Sequence, residues 1–125
     1  MNHALLLFAH GARDPQWAEP FVRIRDQLRE RLGNQSVELA FLELMQPTLA
    51  DAVAQLEAEG AMRITLVPMF LARGGHMKED LPRLVAEVQT RHPRLQIRTA
   101  TALGESAEIL DALAHWVLQQ YRDDG

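Results

Sequence analysis

"LLLFAHGARDP", Leu5 to Pro15, decides how this chain is read. An unbroken apolar run, Leu5 to Ala9, stops at His10 and is followed by Gly11, Ala12, Arg13, Asp14 and Pro15. A short continuous apolar run bounded by Gly and Pro is the pattern of a strand covered on both faces, as in a parallel sheet. His10 then lies where the strand leaves the sheet. Either it opens an ordinary turn, or it is carried to a sheet edge to do chemistry.

Working outward, "HALLLFA" (3 to 9), "SVELAFLE" (36 to 43), "RITLVPMF" (63 to 70) and "LQIRTAT" (95 to 101) read as four strands. Helical spacings follow each one: Trp17, Phe21, Ile24, Leu28 and Leu32; then Leu49, Val53 and Leu56; then Leu81, Leu84, Val85 and Val88; then Ile109, Leu113 and Trp116. Pro47 suits the first turn of the second helix and Gly60 its end. The second and fourth strands alternate apolar and polar residues, as half-exposed edge strands do, whereas the first and third are near-continuously apolar. The expected fold is therefore α/β: one domain, residues 1–125, with a parallel four-stranded sheet in the order 2-1-3-4, helices on both faces and right-handed crossovers, flavodoxin-like in outline. Pro68 cannot donate to a central ladder, so it belongs at the carboxyl end of the third strand.

Composition removes several classes of function. The net charge of -4, with both signs interspersed, offers no basic stripe, so nucleic acid is not an expected partner. Without cysteine there are no disulfides, thiolate metal sites or cysteine nucleophiles. The first apolar run is too short for a membrane span and lacks a basic leader, which gives the expectation of a cytoplasmic protein without membrane attachment. No G-x-S-x-G, G-x-G-x-x-G or Walker loop is present, and Ala9 stands where a histidine phosphatase has the arginine of its Arg-His-Gly motif.

Ligands of such sheets sit beyond the carboxyl ends of the strands, where successive connections leave on opposite faces. Here that point lies between strands one and three. His10 ends strand one, "LARGGHMKED" (71 to 80) follows strand three, and Glu43 ends the adjacent strand two. His10 and His76 are thus expected to face one crevice with Glu43 nearby. Imidazole both ligates divalent ions and accepts protons near neutrality, and a carboxylate assists either task or orients a ring. Gly74 and Gly75 permit close backbone approach, though an ordinary turn explains them equally. Arg13, Arg73 and Lys78 occupy the same two loops and suit carboxylate ligands. His3, His92 and His115 carry no partner pattern, and Trp17 and Trp116 read as core or interface packing.

The stretches "LLLFAHGARDP", "VELAFLELMQPTLADAV" and "ITLVPMFLARGGHMKEDLP" resemble the short CbiX-type sirohydrochlorin chelatases, class II chelatases, over residues 4 to 85 in order. The resemblance implies a lyase that inserts a divalent metal, Co2+ first and Fe2+ or Ni2+ as alternatives, into sirohydrochlorin in cobalamin or sirohaem biosynthesis. It implies His10 and His76 as metal-binding histidines, and His10, with Glu43, as the catalytic pair in which His10 accepts protons. Leu71, Ala72, Arg73, Gly74 and Gly75 correspond to a substrate-contacting loop, and the region from Glu43 to Met45 to another contact; Arg13 and Lys78 are read beside them as substrate-binding cations. The metal ion is a substrate, no organic cofactor is expected, and a homodimer with its cleft between lobes is. The family commonly has His-Gly-Ser-Arg where this chain has Ala12, which removes a hydroxyl beside the site. A non-catalytic tetrapyrrole or metal carrier of the same fold is the alternative reading.

Overall fold

The computed structural model describes residues 2–33, 35–72 and 77–125, without the side chain of Lys78. The elements run β1 (His3–Ala9), a 3-10 turn (Pro15–Ala18), α1 (Glu19–Leu32), β2 (Val37–Phe41), α2 (Leu49–Ala58), β3 (Arg63–Pro68), α3 (Met77–Arg91), β4 (Gln96–Thr99), a second 3-10 turn (Leu103–Glu105) and α4 (Ala107–Asp124). All strand pairs are parallel and the order is β2-β1-β3-β4, as the sequence pattern predicts. Leu6 stands level with Glu38 and Leu66 of its two neighbours, and Leu66 with Thr99.

Side chains alternate across this pleat, so the sheet has two distinct faces. On one, Ala4, Leu6, Phe8, Ile64 and Leu66 pack against α2 and α3 through Val53, Leu56, Leu81 and Val88 in the main core. On the other, Leu7, Ala9, Leu39 and Phe41 pack against Trp17, Phe21, Val22 and Leu28 from the 3-10 turn and α1. Pro68 is the last residue of β3, paired with Phe8, so its missing N–H falls at the strand end.

Three sequence expectations need correction in detail. β2 is more buried than an alternating edge strand, because α1 and α2 cover it from opposite sides and leave only Glu38 half-buried. Pro47 precedes α2 and is not in its first turn; Thr48 is the cap, accepting the Asp51 N–H at 3.1 Å, while Gly60 at φ +103 does end the helix. In α1 the face turned to the sheet runs through Phe21, Val22 and Leu28, and Ile24 and Leu32 are left exposed. α4 forms where its periodicity predicts, yet none of its residues is buried.

Candidate functional site

The carboxyl edge of the sheet is built by strands that keep pairing after they end. Leu42 N–H donates to Ala9 O at 2.9 Å and Glu43 N–H to His10 O at 3.1 Å, so the chain beyond β2 runs alongside the chain beyond β1. Gly11 makes this possible: its φ is +96, and a Cβ there would lie 1.9 Å from Glu43 O. The loop then turns through Leu44, at φ +66, and the cis Gln46–Pro47 bond, and returns with Phe41 N–H donating to Pro47 O.

This backbone sets His10 Nε2 3.0 Å from Glu43 Oε1, with both side chains about half exposed. A carboxylate only accepts, so Nε2 carries the hydrogen, and in the neutral ring Nδ1 then presents its lone pair. No described residue hydrogen-bonds to Nδ1. The other flank of the ring meets Phe70 edge-on, centroids 6.4 Å apart at 75°, and Phe70 is itself held against Phe8. His10 is thus clamped between a carboxylate and an aromatic edge, with no partner on its second nitrogen among the described residues.

Arg13 follows in the same loop, exposed and without a side-chain partner among the described residues, while Asp14 caps the Pro15–Ala18 turn by accepting Gln16 N–H at 2.9 Å. Leu71 and Ala72 are exposed just past Phe70. Met45 instead tucks half-buried against the Leu7–Phe41 cluster, so the exposed apolar side chain beside Glu43 is that of Leu44. Arg73, Gly74, Gly75 and His76 lie outside the described residues, as does the side chain of Lys78. Among the described residues no three His, Asp or Glu side chains converge as a metal cage.

Sequence reasoning missed Phe70, which reads simply as the end of an apolar run, and did not single out Leu44 within the Glu43 to Met45 stretch, because its position depends on a left-handed backbone that no periodicity signals. Two other histidines serve the scaffold: His92 Nδ1 lies 2.7 Å from Glu57 Oε1, joining the end of α3 to α2, and His3 bonds Thr65 across the sheet. The concavity at the opposite, amino edge, lined by Asn2, Met62, Arg63, Arg94 and Gln96, contains no histidine or carboxylate among the described residues.

The model of the CbiX family matches residues 4–120. The chain belongs to the CbiX family. Among relatives of this CbiX protein, a sirohydrochlorin cobaltochelatase of Saccharolobus islandicus (strain Y.G.57.14 / Yellowstone #1) is 32% identical over 94% of both chains. One from Methanocaldococcus jannaschii is 38% identical over 71% of this chain and 62% of its own. In structure, a CbiX protein from Marinobacter aquaeolei VT8 matches with a TM-score of 0.85 at 28% identity, over 97% of this chain and 98% of that one. The sirohydrochlorin chelatase SirB from Bacillus subtilis subspecies spizizenii, in complex with cobalt, matches with 0.80 at 26% identity, over 95% of this chain and 51% of that one. No helix of the described residues is long and apolar enough to cross a membrane.

Proposed function

We propose that this CbiX protein, acting as one chelatase domain of residues 1–125 in the cytoplasm, catalyses insertion of a divalent metal ion into sirohydrochlorin. Co2+ is the first candidate, with Fe2+ and Ni2+ behind it. The observation that carries the reading is the His10–Glu43 pair at the carboxyl edge, 3.0 Å apart, with no partner on Nδ1 among the described residues. It is supported by near full-length similarity to proteins named sirohydrochlorin cobaltochelatase and by a structural relative in complex with cobalt.

Insertion requires the macrocycle to lose two pyrrolic protons as the ion exchanges water for four nitrogens. The protein must therefore hold the ion weakly and provide a base. His10 Nδ1 serves as ligand or proton acceptor, and Glu43 stabilises the imidazolium that forms when a proton is taken up. In this proposal His76 is the second metal-binding histidine, and Arg13, Arg73 and Lys78 meet substrate carboxylates. Glu43, Met45 and the Leu71–Gly75 loop border the macrocycle. A donor set without thiolate suits a cargo ion, because thiolates retain soft ions strongly.

The test is anaerobic and spectroscopic. Sirohydrochlorin is mixed with Co2+, Fe2+ or Ni2+, and its visible absorption is followed with and without protein. At least one metal should be inserted faster with the protein, and His10→Ala should lose that acceleration while remaining folded by circular dichroism. Folded protein that accelerates insertion of none of the three removes the proposal.

A further inference from the structure

Beyond the last shared register of β1 and β3, the chain sets an aromatic ring beside the candidate histidine. Phe8 is level with Pro68 in the parallel ladder, and Met69 N–H donates to Phe8 O at 2.7 Å, so the two segments stay paired past their strand ends. Side chains alternate across a pleat, and the step of two residues that leads from Phe8 to His10 leads from Pro68 to Phe70. The rings of His10 and Phe70 accordingly meet, while Phe70 joins Phe8 in the main core.

The two contacts of His10 differ in what stands behind them. Glu43 approaches to 3.0 Å, but its side chain is 53% exposed and that of His10 54%. A pairing of two solvated side chains fixes little, because each keeps rotamers that exchange the partner for water. Phe70 is buried and held on several sides. Its ring meets that of Phe8 at 72°, centroids 5.9 Å apart, and Phe8 is fully buried. Its carbonyl accepts Gly104 N–H at 3.0 Å, and a Cβ on Gly104 would lie 1.6 Å from Leu71 O, so the turn before α4 is pressed against the same segment. Of the two contacts, the phenyl ring is the rigid one.

We propose that Phe70 is a positioning residue of the candidate site: it holds the His10 imidazole in the orientation that gives Nε2 to Glu43 and leaves Nδ1 for the ion or the proton. An imidazole that hands an ion on must keep its lone pair on one line while the ion exchanges water for macrocycle nitrogens. A ring free to turn about both side-chain torsions has to be ordered at each binding event, which costs affinity. A phenyl clamp has neither a lone pair nor an acidic proton, so it orients the imidazole without competing for the ion. The consequence for turnover rests on the chelatase reading above; the consequence for the ring itself does not.

The test separates position from stability. Phe70→Leu keeps an apolar side chain in the core and removes the ring. Val88→Ala is the control, since Val88 belongs to the same core on α3 and makes no recorded contact with His10. Nitrogen-15 spectra of the His10 ring, taken without metal or tetrapyrrole at a pH where the ring is neutral, should show the Nε2–H tautomer alone in the wild type and in Val88→Ala. Phe70→Leu should show both tautomers. Co2+ alone, titrated by calorimetry, should bind Phe70→Leu about 3–10-fold more weakly, as expected when a ligand must be ordered on binding. In the insertion assay turnover should fall about tenfold, less than the ~100-fold of a group displaced outright, with KM for sirohydrochlorin unchanged and Val88→Ala at the wild-type rate. Phe70→Met, an unbranched filler of the same space, carries the same expectations if the leucine variant does not fold. Both tautomers already present in the wild type overturn the proposal without any variant. So does a ringless variant with the wild-type tautomer or wild-type Co2+ affinity, and so does a Val88→Ala protein that loses as much turnover, because stability would then account for the effect. A folded wild type that inserts no metal removes the reaction proposed above and leaves the tautomer and Co2+ measurements to decide the role of Phe70.

Discussion

Gly11 holds the approach of two loops that brings His10 to Glu43. With φ at +96 and Glu43 O 1.9 Å from where a Cβ would stand, Gly11→Ala must both strain the backbone and push the β2–α2 loop away. We expect it to lower stability by about 2 kcal/mol or more, read from urea unfolding, and to lose chelatase activity even where the domain still folds. Glu43→Gln keeps an acceptor opposite Nε2 and removes the charge. The proposed pairing then gives a turnover about 10–100-fold lower, the usual effect of losing a carboxylate behind a functional histidine, with KM for the tetrapyrrole unchanged. Wild-type turnover in Glu43→Gln would detach Glu43 from the chemistry. His10 was legible in the sequence because an apolar strand stopped at it, and Glu43 because the next strand stopped level with it. Phe70 was not, and Leu44 did not stand out within its stretch, since a ring contact and a left-handed φ arise from tertiary packing and leave no period behind.

Among the elements, the strands were readable as short apolar runs, and their order because the first and third are near-continuously apolar, as central strands are, while the second and fourth alternate as edges do. Boundaries were less so. The β2 stretch was expected to run to Glu43, but regular pairing within the strand ends at Phe41, where the return through Pro47 and Thr48 takes over the Phe41 N–H. Thr48 has two duties there: it caps α2 and closes the loop that presents Glu43. Thr48→Ala should therefore cost about 1 kcal/mol, the ordinary value of a helix cap, measurable as a lower urea midpoint at unchanged m-value. Thr48→Ser, which keeps the acceptor, should restore most of it. An equal loss in both variants would assign the effect to the methyl group and its packing.

At the scale of the whole molecule, periodicity reveals that a helix has an apolar face but not whose surface that face covers. Ile109, Leu113 and Trp116 were read correctly as helical, yet α4 buries none of its residues within the chain. If folding requires the homodimer that the sequence resemblance implies, unfolding releases two chains from one native species, and stability must depend on protein concentration. A dimer of this size absorbs roughly 0.7 kcal/mol per residue on unfolding near 60 °C. A hundredfold increase in concentration should then raise the melting temperature by about 5 °C, with the same slope by calorimetry and by far-UV circular dichroism. Trp116→Asp should flatten that dependence and lower the midpoint at high concentration. A wild-type melting temperature constant across the same hundredfold range would mean that the domain unfolds as a single chain, with α4 contributing nothing between copies.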